Sequence, residues 1–348
     1  MSSRTGAIGA GCTRGIVSES DVTMRDIYVA RLRIAYTARR TPLITSPLLT
    51  EHVGASVHLK LDSLQETGSF KIRGAANKLL SLTAEEKKRG VISFSTGNHA
   101  RAVAYVAKRL DVNALICVSK RVPSYRVDAV KKLGAEVVVY GESQDEAMEQ
   151  AFRMQELRGL TMINAFDDPF IIAGQGTIGL ELLEDLPQID TVVVPVSGGG
   201  LISGIALALK SADSRIRVAG VSMERAPVMY HSLRAGAPIE MQEEDPIADA
   251  LEGGIGLDNQ YTFRMTQQYV DDIILVSEDE IAGAMAFALE SHHLVVEGAG
   301  AVGIAALLYR RVKGAGRNVA VVVSGSNVDL PLLLHVAQNH TGKEANFR

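Results

Sequence analysis

The feature that most constrains the fold of this chain is a repeated alternation of short β-branched runs with longer amphipathic stretches. Buried strands separated by helical stretches are typical of βαβ units, which build parallel sheets. Several runs are apolar throughout, as expected for strands that helices cover on both faces. We predict eight strands, at residues 57–61, 91–94, 114–118, 136–140, 191–196, 217–222, 272–276 and 318–323. The pattern predicts an α/β fold with mostly parallel sheets, preceded by a helix that runs from Ser20 or Asp21 to Ala38.

Composition excludes several classes of function. The 348 residues carry a net charge of −4, so there is no basic excess to neutralise a nucleic-acid backbone. No apolar run is long enough to span a bilayer, and residues 1–17 lack the apolar centre of a secretory signal. Two cysteines, Cys12 and Cys117, cannot build a disulfide framework, which fits a reducing compartment. We therefore expect a cytoplasmic protein that binds neither nucleic acid nor membranes.

Lys71 lies where a strand-like run, residues 57–61, gives way to a helix-like run, residues 72–82. Phe70 and Ile72 flank it, and burying an unpaired ammonium group is costly. A desolvated lysine loses its proton more readily and can form a Schiff base with an aldehyde. Taken alone, however, Lys71 is more simply interpreted as a surface residue at the start of a helix. The motifs further along the chain decide between the two interpretations.

Three glycines, Gly198, Gly199 and Gly200, follow the predicted strand 191–196 and precede a helical stretch that begins at Leu201. Glycines allow backbone N–H groups to converge, and the N-terminus of a helix adds positive potential. The run lacks the lysine of a P-loop and the spacing of a dinucleotide-binding fingerprint. A flexible turn is the plainer alternative. The run favours a phosphate monoester that is held by backbone amides.

A polar turn follows the predicted strand 91–94. Ligands of open α/β sheets bind at the carboxyl ends of the strands, so this turn can hold a carboxylate or a phenolic oxygen. The same residues can equally form an ordinary helix N-cap. The side chains concerned are those of Ser95, Thr96, Asn98 and His99.

Two further positions lie in apolar surroundings. Ser324 ends the last predicted strand, where its hydroxyl can face a ligand heterocycle or belong to a polar turn. Glu297 stands among apolar neighbours, and a buried carboxylate needs a partner. Together with Lys71, the strand ends supply an amine for an aldehyde, a backbone cradle for a phosphate, and polar groups for a ring. Those groups complement pyridoxal 5′-phosphate.

Five segments, in this order, resemble the fold type II pyridoxal-phosphate enzymes, in the branch of threonine/serine dehydratases and serine racemase. They are residues 67–75, 95–100, 173–178, 197–201 and 324–329. The resemblance implies the α/β fold of the tryptophan synthase β type, with two open, twisted, mostly parallel sheets flanked by helices. It also implies a homodimer, since relatives form dimers or tetramers.

The resemblance further implies a division into domains. Residues 21–89 and 168–348 would form a large cofactor-binding domain, and residues 90–167 a small domain, with the active site in the cleft between them. Residues 1–20 would form a flexible tail. Nothing in the chain resembles the C-terminal regulatory domain of the biosynthetic threonine dehydratases.

The resemblance assigns a role to each matched residue. Lys71 would hold the cofactor's aldehyde as a Schiff base and move the α-proton of the substrate. Phe70 would pack on the ring, Asn98 would bond the ring hydroxyl, and Ser324 would face the ring nitrogen. A neutral serine there favours β-elimination over more carbanion-demanding chemistry. The phosphate would bind the backbone amides of Gly198, Gly199, Gly200 and Leu201. The substrate carboxylate would lie among Ser95, Thr96, Asn98 and His99.

The chain departs from the family pattern at two places. Thr96 occupies a catalytic position at which racemases of this family use a serine as the opposite-face acid or base, and its bulk puts racemisation in doubt. At the family's divalent-cation site, Ser222 and Val228 stand where acidic residues are usual. We therefore expect no metal, although Glu224 is close by in sequence.

The function implied is β-elimination of a β-hydroxy-α-amino acid to a 2-oxo acid and ammonia, by a pyridoxal-phosphate-dependent ammonia-lyase. Residues 95–99, 221–225 and 295–303 are similar to dehydratases of hydroxyectoine utilisation, whose substrate is of the 3-hydroxy-2,4-diaminobutyrate type. The alternatives are a threonine/serine or 3-hydroxyaspartate dehydratase, and an amino-acid racemase. A non-catalytic amino-acid-binding protein with the same fold is a further alternative, against which the intact Lys71 argues.

Overall fold

The structure is a computed structural model that describes residues 22–340, except for Thr96, Glu243 and Asp245. The predicted tail, residues 1–20, lies outside the described residues. Ten strands are present in the part of the chain that is described. They are β1 (Leu43–Thr45), β2 (Ser56–Leu61), β3 (Val91–Phe94), β4 (Ala114–Val118), β5 (Glu136–Val139), β6 (Thr161–Met162), β7 (Thr191–Pro195), β8 (Arg217–Met223), β9 (Asp272–Val276) and β10 (Asn318–Val323).

All eight predicted runs form strands, with bounds that differ from the prediction by no more than one residue at either end. The two strands that were not predicted, β1 and β6, span only three and two residues. Such short strands carry too few residues to show a period of two. Pairing with a longer neighbour forms them, since Ile44 of β1 lies opposite Leu59 of β2.

Fourteen α-helices connect and flank these strands within residues 22–340. They are α1 (Met24–Ile34), α2 (Pro47–Val53), α3 (Lys71–Ser81), α4 (Ala84–Arg89), α5 (Asn98–Arg109), α6 (Ser124–Lys132), α7 (Gln144–Arg158), α8 (Pro169–Asp185), α9 (Gly200–Ala212), α10 (Val228–Ala235), α11 (Thr262–Tyr269), α12 (Glu278–His292), α13 (Gly298–Leu308) and α14 (Leu330–His340). Short 3₁₀ turns lie at Asp62–Leu64 and Asp249–Leu251. Among the described helices, none combines the length and apolar character needed to cross a membrane.

The first helix is shorter than predicted. It begins at Met24 because Thr23 and Asp26 form a capping box, in which each side chain bonds the backbone N–H of the other. It ends at Ile34, and the backbone continues in turns to Ala38. The Thr-x-x-Asp spacing at its start is a signal that the periodicity argument overlooked.

The strands form two sheets. The larger has the order β1-β2-β10-β7-β8-β9 and the smaller the order β5-β4-β3-β6. Neighbouring strands run parallel throughout, except that β1 is antiparallel to β2. The strands of the smaller sheet all fall within residues 90–167, the predicted small domain, although the domain boundaries themselves stay a prediction.

The central strands of the larger sheet are buried on both faces, as their composition predicts. Val193 and Val321 pack into a core that includes α12 and α13, whereas Val192 and Val322 pack into a core that includes α9. The alternation of β side chains thus fills two cores from one apolar run.

The strand order decides where the site lies. β10 pairs with β2 on one side and with β7 on the other, although β10 is far from both in sequence. Parallel neighbours end at the same edge of a sheet, which is where ligands of α/β folds bind. The segments that follow these three strands carry Lys71, Ser324 and the glycines 198–200, so all three segments lie at one edge.

A buried ion cluster holds the start of α3 against α8. The guanidinium of Arg73, which is almost fully buried, donates to both carboxylate oxygens of Asp62 at 2.8 Å. It also donates to the two oxygens of Glu181 at 2.5 and 3.0 Å. Lys60, which is fully buried, lies 2.7 Å from Glu181 and donates to the carbonyl oxygen of Thr41. The cluster joins β2, the turn after it, α3 and α8.

Replacing Arg73 with methionine is expected to lower the free energy of unfolding by about 3–5 kcal/mol, because it leaves two buried carboxylates without their cation. The matched control is Arg31→Met, since Arg31 pairs with Glu184 at the surface with 43% of its side chain exposed. That change should cost less than about 1 kcal/mol. Urea unfolding monitored by circular dichroism measures both, and equal losses would contradict a special role for the cluster.

Candidate active site

Lys71 is the first residue of α3 and projects into the site from the helix N-terminus. Its Nζ donates to the carbonyl oxygen of Ala165 at 2.8 Å and lies 5.3 Å from the centroid of the Phe70 ring. No carboxylate lies within ion-pair distance of Nζ among the described residues. The ammonium group is therefore held in place but is not neutralised.

The pKa of Lys71 falls to about 8 because the surrounding protein desolvates the ammonium group. The negative charge of Glu297 opposes this shift but does not cancel it. A small part of the side chain stays accessible to solvent, so water and a small ligand can reach it. With this pKa, roughly a tenth of the amine is neutral at pH 7. That amine can attack an aldehyde or accept a proton near neutral pH.

Ser324 lies beside the start of α3. Its carbonyl oxygen accepts from the backbone N–H of Phe70 at 3.0 Å, and Ser69 pairs with Gly325 in an isolated antiparallel bridge. The buried Ser324 hydroxyl has one long bond, 3.5 Å, to the carbonyl oxygen of Ala299. Such a long bond is weak, which leaves the hydroxyl free to bond a ligand. The structure thus brings Phe70, Lys71 and Ser324 together.

The glycine turn between β7 and α9 is enclosed by other residues. A Cβ added to Gly198 would lie 2.4 Å from the ring of Phe166, and Gly199 has a φ of +85°. Gly200 and Leu201 form the first turn of α9, whose N–H groups have no partners within the helix. Phe166 directly follows Ala165, so one dipeptide contacts both the glycine turn and Lys71. The glycines are needed for packing on Phe166 as well as for open N–H groups.

The turn after β3 contributes Asn98, the first residue of α5. Its Nδ2 donates to Glu297 at 2.7 Å, and its Oδ1 accepts from Nδ2 of Asn327 at 2.5 Å. The same Asn327 nitrogen donates to the carbonyl oxygen of Thr67, four residues before Lys71. This chain of bonds connects the smaller sheet to the start of α3. Ser95, in the same turn, is partly buried, and Thr96 lies outside the described residues.

His99 is buried beneath this turn. Its Nε2 lies 3.0 Å from the carbonyl oxygen of Ile163 and must donate to it, so Nδ1 carries no hydrogen. Desolvation, together with the charge of Lys71, lowers the pKa of His99 to about 3. The ring is therefore neutral, and Nδ1 is a buried acceptor without a partner. The predicted contact with a substrate carboxylate stays a prediction, and this tautomer favours a ligand group that donates.

Glu297 is the residue of the site to which sequence reasoning gave no role. The prediction went no further than a buried carboxylate in need of a partner, and the structure supplies Asn98 and Asn327 as partners. Burial, and then the charge of Asp249, raises the pKa of Glu297 to about 7. A carboxylate within a glycine-rich apolar stretch was the only signal for this site residue.

The residues present fit the cofactor that the family resemblance implies. The desolvated amine of Lys71 suits its aldehyde, and the free N–H groups at the start of α9 suit its phosphate. Three buried polar atoms near Lys71 also have no hydrogen-bond partner: Thr67 Oγ1, Ser69 Oγ and His99 Nδ1. Unpaired buried polar atoms are rare in proteins unless a ligand or water completes them.

No cluster of three or more metal-ligating side chains occurs among residues 22–340 outside the three undescribed positions. Ser222 is buried at the end of β8, and Val228 begins α10. The expected absence of a cation site stays a prediction.

Comparison with known proteins identifies the family. The sequence model described as "Pyridoxal-phosphate dependent enzyme" matches residues 34–325. The chain belongs to this family. An L-threonine ammonia-lyase of Thermotoga maritima is 43% identical over 312 residues, which are 90% of this chain and 77% of the relative.

Solved structures of the family share the fold. Maize serine racemase superposes with a TM-score of 0.86 at 36% identity, over 92% of this chain and 98% of that chain. A threonine deaminase from T.th. gives a TM-score of 0.81 at 38% identity, over 88% and 99%. The predicted fold class and the predicted cofactor, pyridoxal phosphate, are confirmed, as is the class of enzyme, a pyridoxal-phosphate-dependent ammonia-lyase. A particular closeness to the hydroxyectoine enzymes is not among these findings.

The lowered pKa of Lys71 predicts how its reactivity depends on pH. In the cofactor-free enzyme, the rate of labelling of Lys71 by acetic anhydride should rise about tenfold from pH 7 to pH 9 and level off above it. An ordinary lysine should gain about a hundredfold over the same range and continue to rise. Mass spectrometry of peptides measures the rates, with exposed lysines of the same digest as the reference. A hundredfold rise at Lys71 would contradict the desolvation argument.

The packing of Gly198 on Phe166 predicts a loss of cofactor affinity in Gly198→Ala. Overpacking by one methyl group typically costs about 1–3 kcal/mol, so the Kd for pyridoxal phosphate should rise about tenfold or more. Gly254→Ala is the matched control, because a Cβ there meets nothing closer than 4.0 Å and neither glycine has a positive φ. Fluorescence titration of the cofactor-free enzyme measures both affinities. Equal affinities in the two variants would show that the contact with Phe166 is unimportant.

Proposed function

We propose that this enzyme catalyses β-elimination from a β-hydroxy-α-amino acid, which yields a 2-oxo acid and ammonia. The observation that carries the proposal is Lys71, a desolvated amine held at the sheet edge where the glycine turn and Ser324 also lie. The names of its relatives agree, since they include an L-threonine ammonia-lyase and a threonine deaminase.

Lys71 is the base in the proposed reaction. Pyridoxal phosphate, when bound, withdraws electron density from the α-carbon of the attached amino acid. A neutral Nζ can then accept the α-proton, and a pKa near the working pH suits a group that both takes and returns protons. The carbonyl oxygen of Ala165, 2.8 Å away, orients Nζ. The protonated Nζ can deliver its proton to the β-hydroxyl, which leaves as water. The released enamine hydrolyses to the 2-oxo acid and ammonia.

Ser324 supports elimination over other outcomes. A neutral hydroxyl does not hold a proton on a pyridine nitrogen as a carboxylate would, so electron withdrawal stays modest. Loss of a β-hydroxyl needs less carbanion stabilisation than racemisation or transamination, because the leaving group departs as the charge develops. The buried position of Ser324 next to Phe70 agrees with this assignment.

Within this reaction class, we propose a substrate of the 3-hydroxy-2,4-diaminobutyrate type from hydroxyectoine catabolism. Its support is the similarity of residues 95–99, 221–225 and 295–303 to dehydratases of that pathway. L-Threonine is the second candidate, supported by the names of the relatives. Racemase activity is a third, supported by the likeness to maize serine racemase, while Thr96, on which it depends, lies outside the described residues.

We further propose a cytoplasmic homodimer. One face of α1 exposes large apolar side chains, with Tyr28, Leu32 and Tyr36 exposed by 51%, 78% and 93%. They lie four residues apart, so they form one stripe along the helix. Contiguous exposed apolar surface of this kind marks an interaction site, which a second copy of the chain would cover.

A screen for ammonia release tests the function. Threonine, serine, 3-hydroxyaspartate, 3-phenylserine and 3-hydroxy-2,4-diaminobutyrate are compared by kcat/KM, and the diamino acid is expected to exceed threonine about tenfold or more, because a site that bonds a polar group discriminates against its absence. Lys71→Ala, reconstituted with cofactor, should release no ammonia.

Two results would contradict these proposals. A preference for threonine would reject the diamino substrate but keep the elimination reaction. Loss of optical activity from a single enantiomer without release of ammonia would reject elimination in favour of racemisation.

A further inference from the structure

Glu297 precedes the first residue of α13 but does not cap that helix. Its Oε1 accepts from Nδ2 of Asn98 at 2.7 Å, and its Oε2 accepts from the backbone N–H of Asn327 at 3.0 Å. A carboxylate at the start of a helix ordinarily bonds the free N–H groups of the first turn. Glu297 instead bonds the turn after β3 and the segment after β10. Its position thus serves contacts outside its own helix.

The backbone around Glu297 is shaped to admit it. A Cβ added to Gly325 would lie 2.1 Å from Oε1 of Glu297, so no other residue fits at position 325 while the carboxylate stays where it is. The backbone N–H of Glu297 donates to the carbonyl oxygen of Gly325 at 3.1 Å, which holds the two segments together. Glu297 is only 4% exposed, and a carboxylate this deep is costly unless its bonds are made.

These bonds decide which way the amide of Asn98 points. An ionised carboxylate can only accept hydrogen bonds, so Glu297 must face the NH₂ group of Asn98. On the other side, Asn327 donates from Nδ2 to Oδ1 of Asn98 and to the carbonyl oxygen of Thr67. Asn98 has therefore used its acceptor and one of its two N–H groups. What it can offer a ligand is the second N–H group, which is a donor.

We propose that Glu297 is a positioning residue that makes Asn98 present an N–H group, and no acceptor, to the ring oxygen of the cofactor. An atom that only receives hydrogen bonds is bound best as an anion, so Glu297 would bias that oxygen toward its deprotonated form. The inference rests on the expected placement of Asn98 at the ring hydroxyl. It does not depend on which amino acid is the substrate.

The cofactor spectrum tests the proposal without substrate. The two protonation states of the ring oxygen absorb at different wavelengths, so the ratio of the two bands reports the proton directly. Glu297→Leu removes both acceptors and frees Asn98 to turn its oxygen toward the ligand. The ratio should then shift toward the protonated form about tenfold or more, the size expected when a charge-assisted bond is lost. Glu297→Gln, which keeps the shape, should shift it in the same direction by a smaller factor.

The matched control is Glu280→Leu. Glu280 is also a buried glutamate near a helix start, and it also accepts from one backbone N–H, that of Ser277, and one side-chain N–H, that of Arg311. Neither partner belongs to the predicted site, so this variant should keep the wild-type band ratio even if its thermal stability falls. Borohydride trapping of the cofactor on Lys71 and far-ultraviolet circular dichroism establish that each protein is loaded and folded.

Two results would overturn the proposal. One is a wild-type ratio in folded, loaded Glu297→Gln and Glu297→Leu. The other is an equal shift in Glu280→Leu, which would mean that loss of any buried carboxylate loosens the site. Should Glu297→Leu fail to fold, Glu297→Gln alone decides, because an unchanged ratio in that variant rejects the role. Failure of the proposed elimination reaction would appear differently, as absent ammonia release from a wild-type enzyme whose spectrum is normal.

Discussion

The buried pairing of Arg73 with Asp62 and Glu181 is the interaction on which the position of the site depends. It joins the turn after β2 to α3 and α8, and it lies two residues beyond Lys71. The backbone from which Lys71 projects is thus fixed from the side opposite the ligand. A buried guanidinium keeps its place only while its carboxylates remain, since an unpaired charge at this depth is strongly unfavourable. The fold and the catalytic lysine therefore rely on the same bonds.

Two buried lysines, close in sequence, show how surroundings separate structure from chemistry. Lys60 contacts Glu181 at 2.7 Å, Asp185 at 3.3 Å and a backbone carbonyl oxygen at 2.6 Å, so its charge is balanced and its donors are used. Lys71 contacts a carbonyl oxygen and an aromatic ring, and the nearest charge that acts on it, Glu297, makes no bond to it. Desolvation without neutralisation is what lowers the pKa of Lys71 and makes it reactive. Nothing in the local sequence distinguishes the two environments.

Much of the fold could be predicted because buried strands leave a pattern that depends on neighbours in sequence alone. The eight predicted runs met this condition, whereas β1 and β6 did not, because a partner strand forms them. The site was predictable where a residue type has few other uses, as with the glycine turn. Glu297 escaped assignment because its partners, Asn98 and Asn327, lie 199 and 30 residues away along the chain. The glycines themselves were predicted for open N–H groups, and packing on Phe166 emerged as a second reason for them.

The sequence by itself determined the α/β class, the strands of both sheets and, through five matched segments, the cofactor and the lysine that binds it. Those features follow from local patterning and from motifs that pyridoxal phosphate requires. Only the tertiary structure decided that β10 lies between β2 and β7, which brings Lys71, Ser324 and the glycine turn to one edge. It alone also decided that Asn98 is oriented by Glu297 and that His99 is a neutral acceptor. Hydrogen bonds, ion pairs and desolvation depend on which atoms meet in space, and distant parts of the chain supply those atoms.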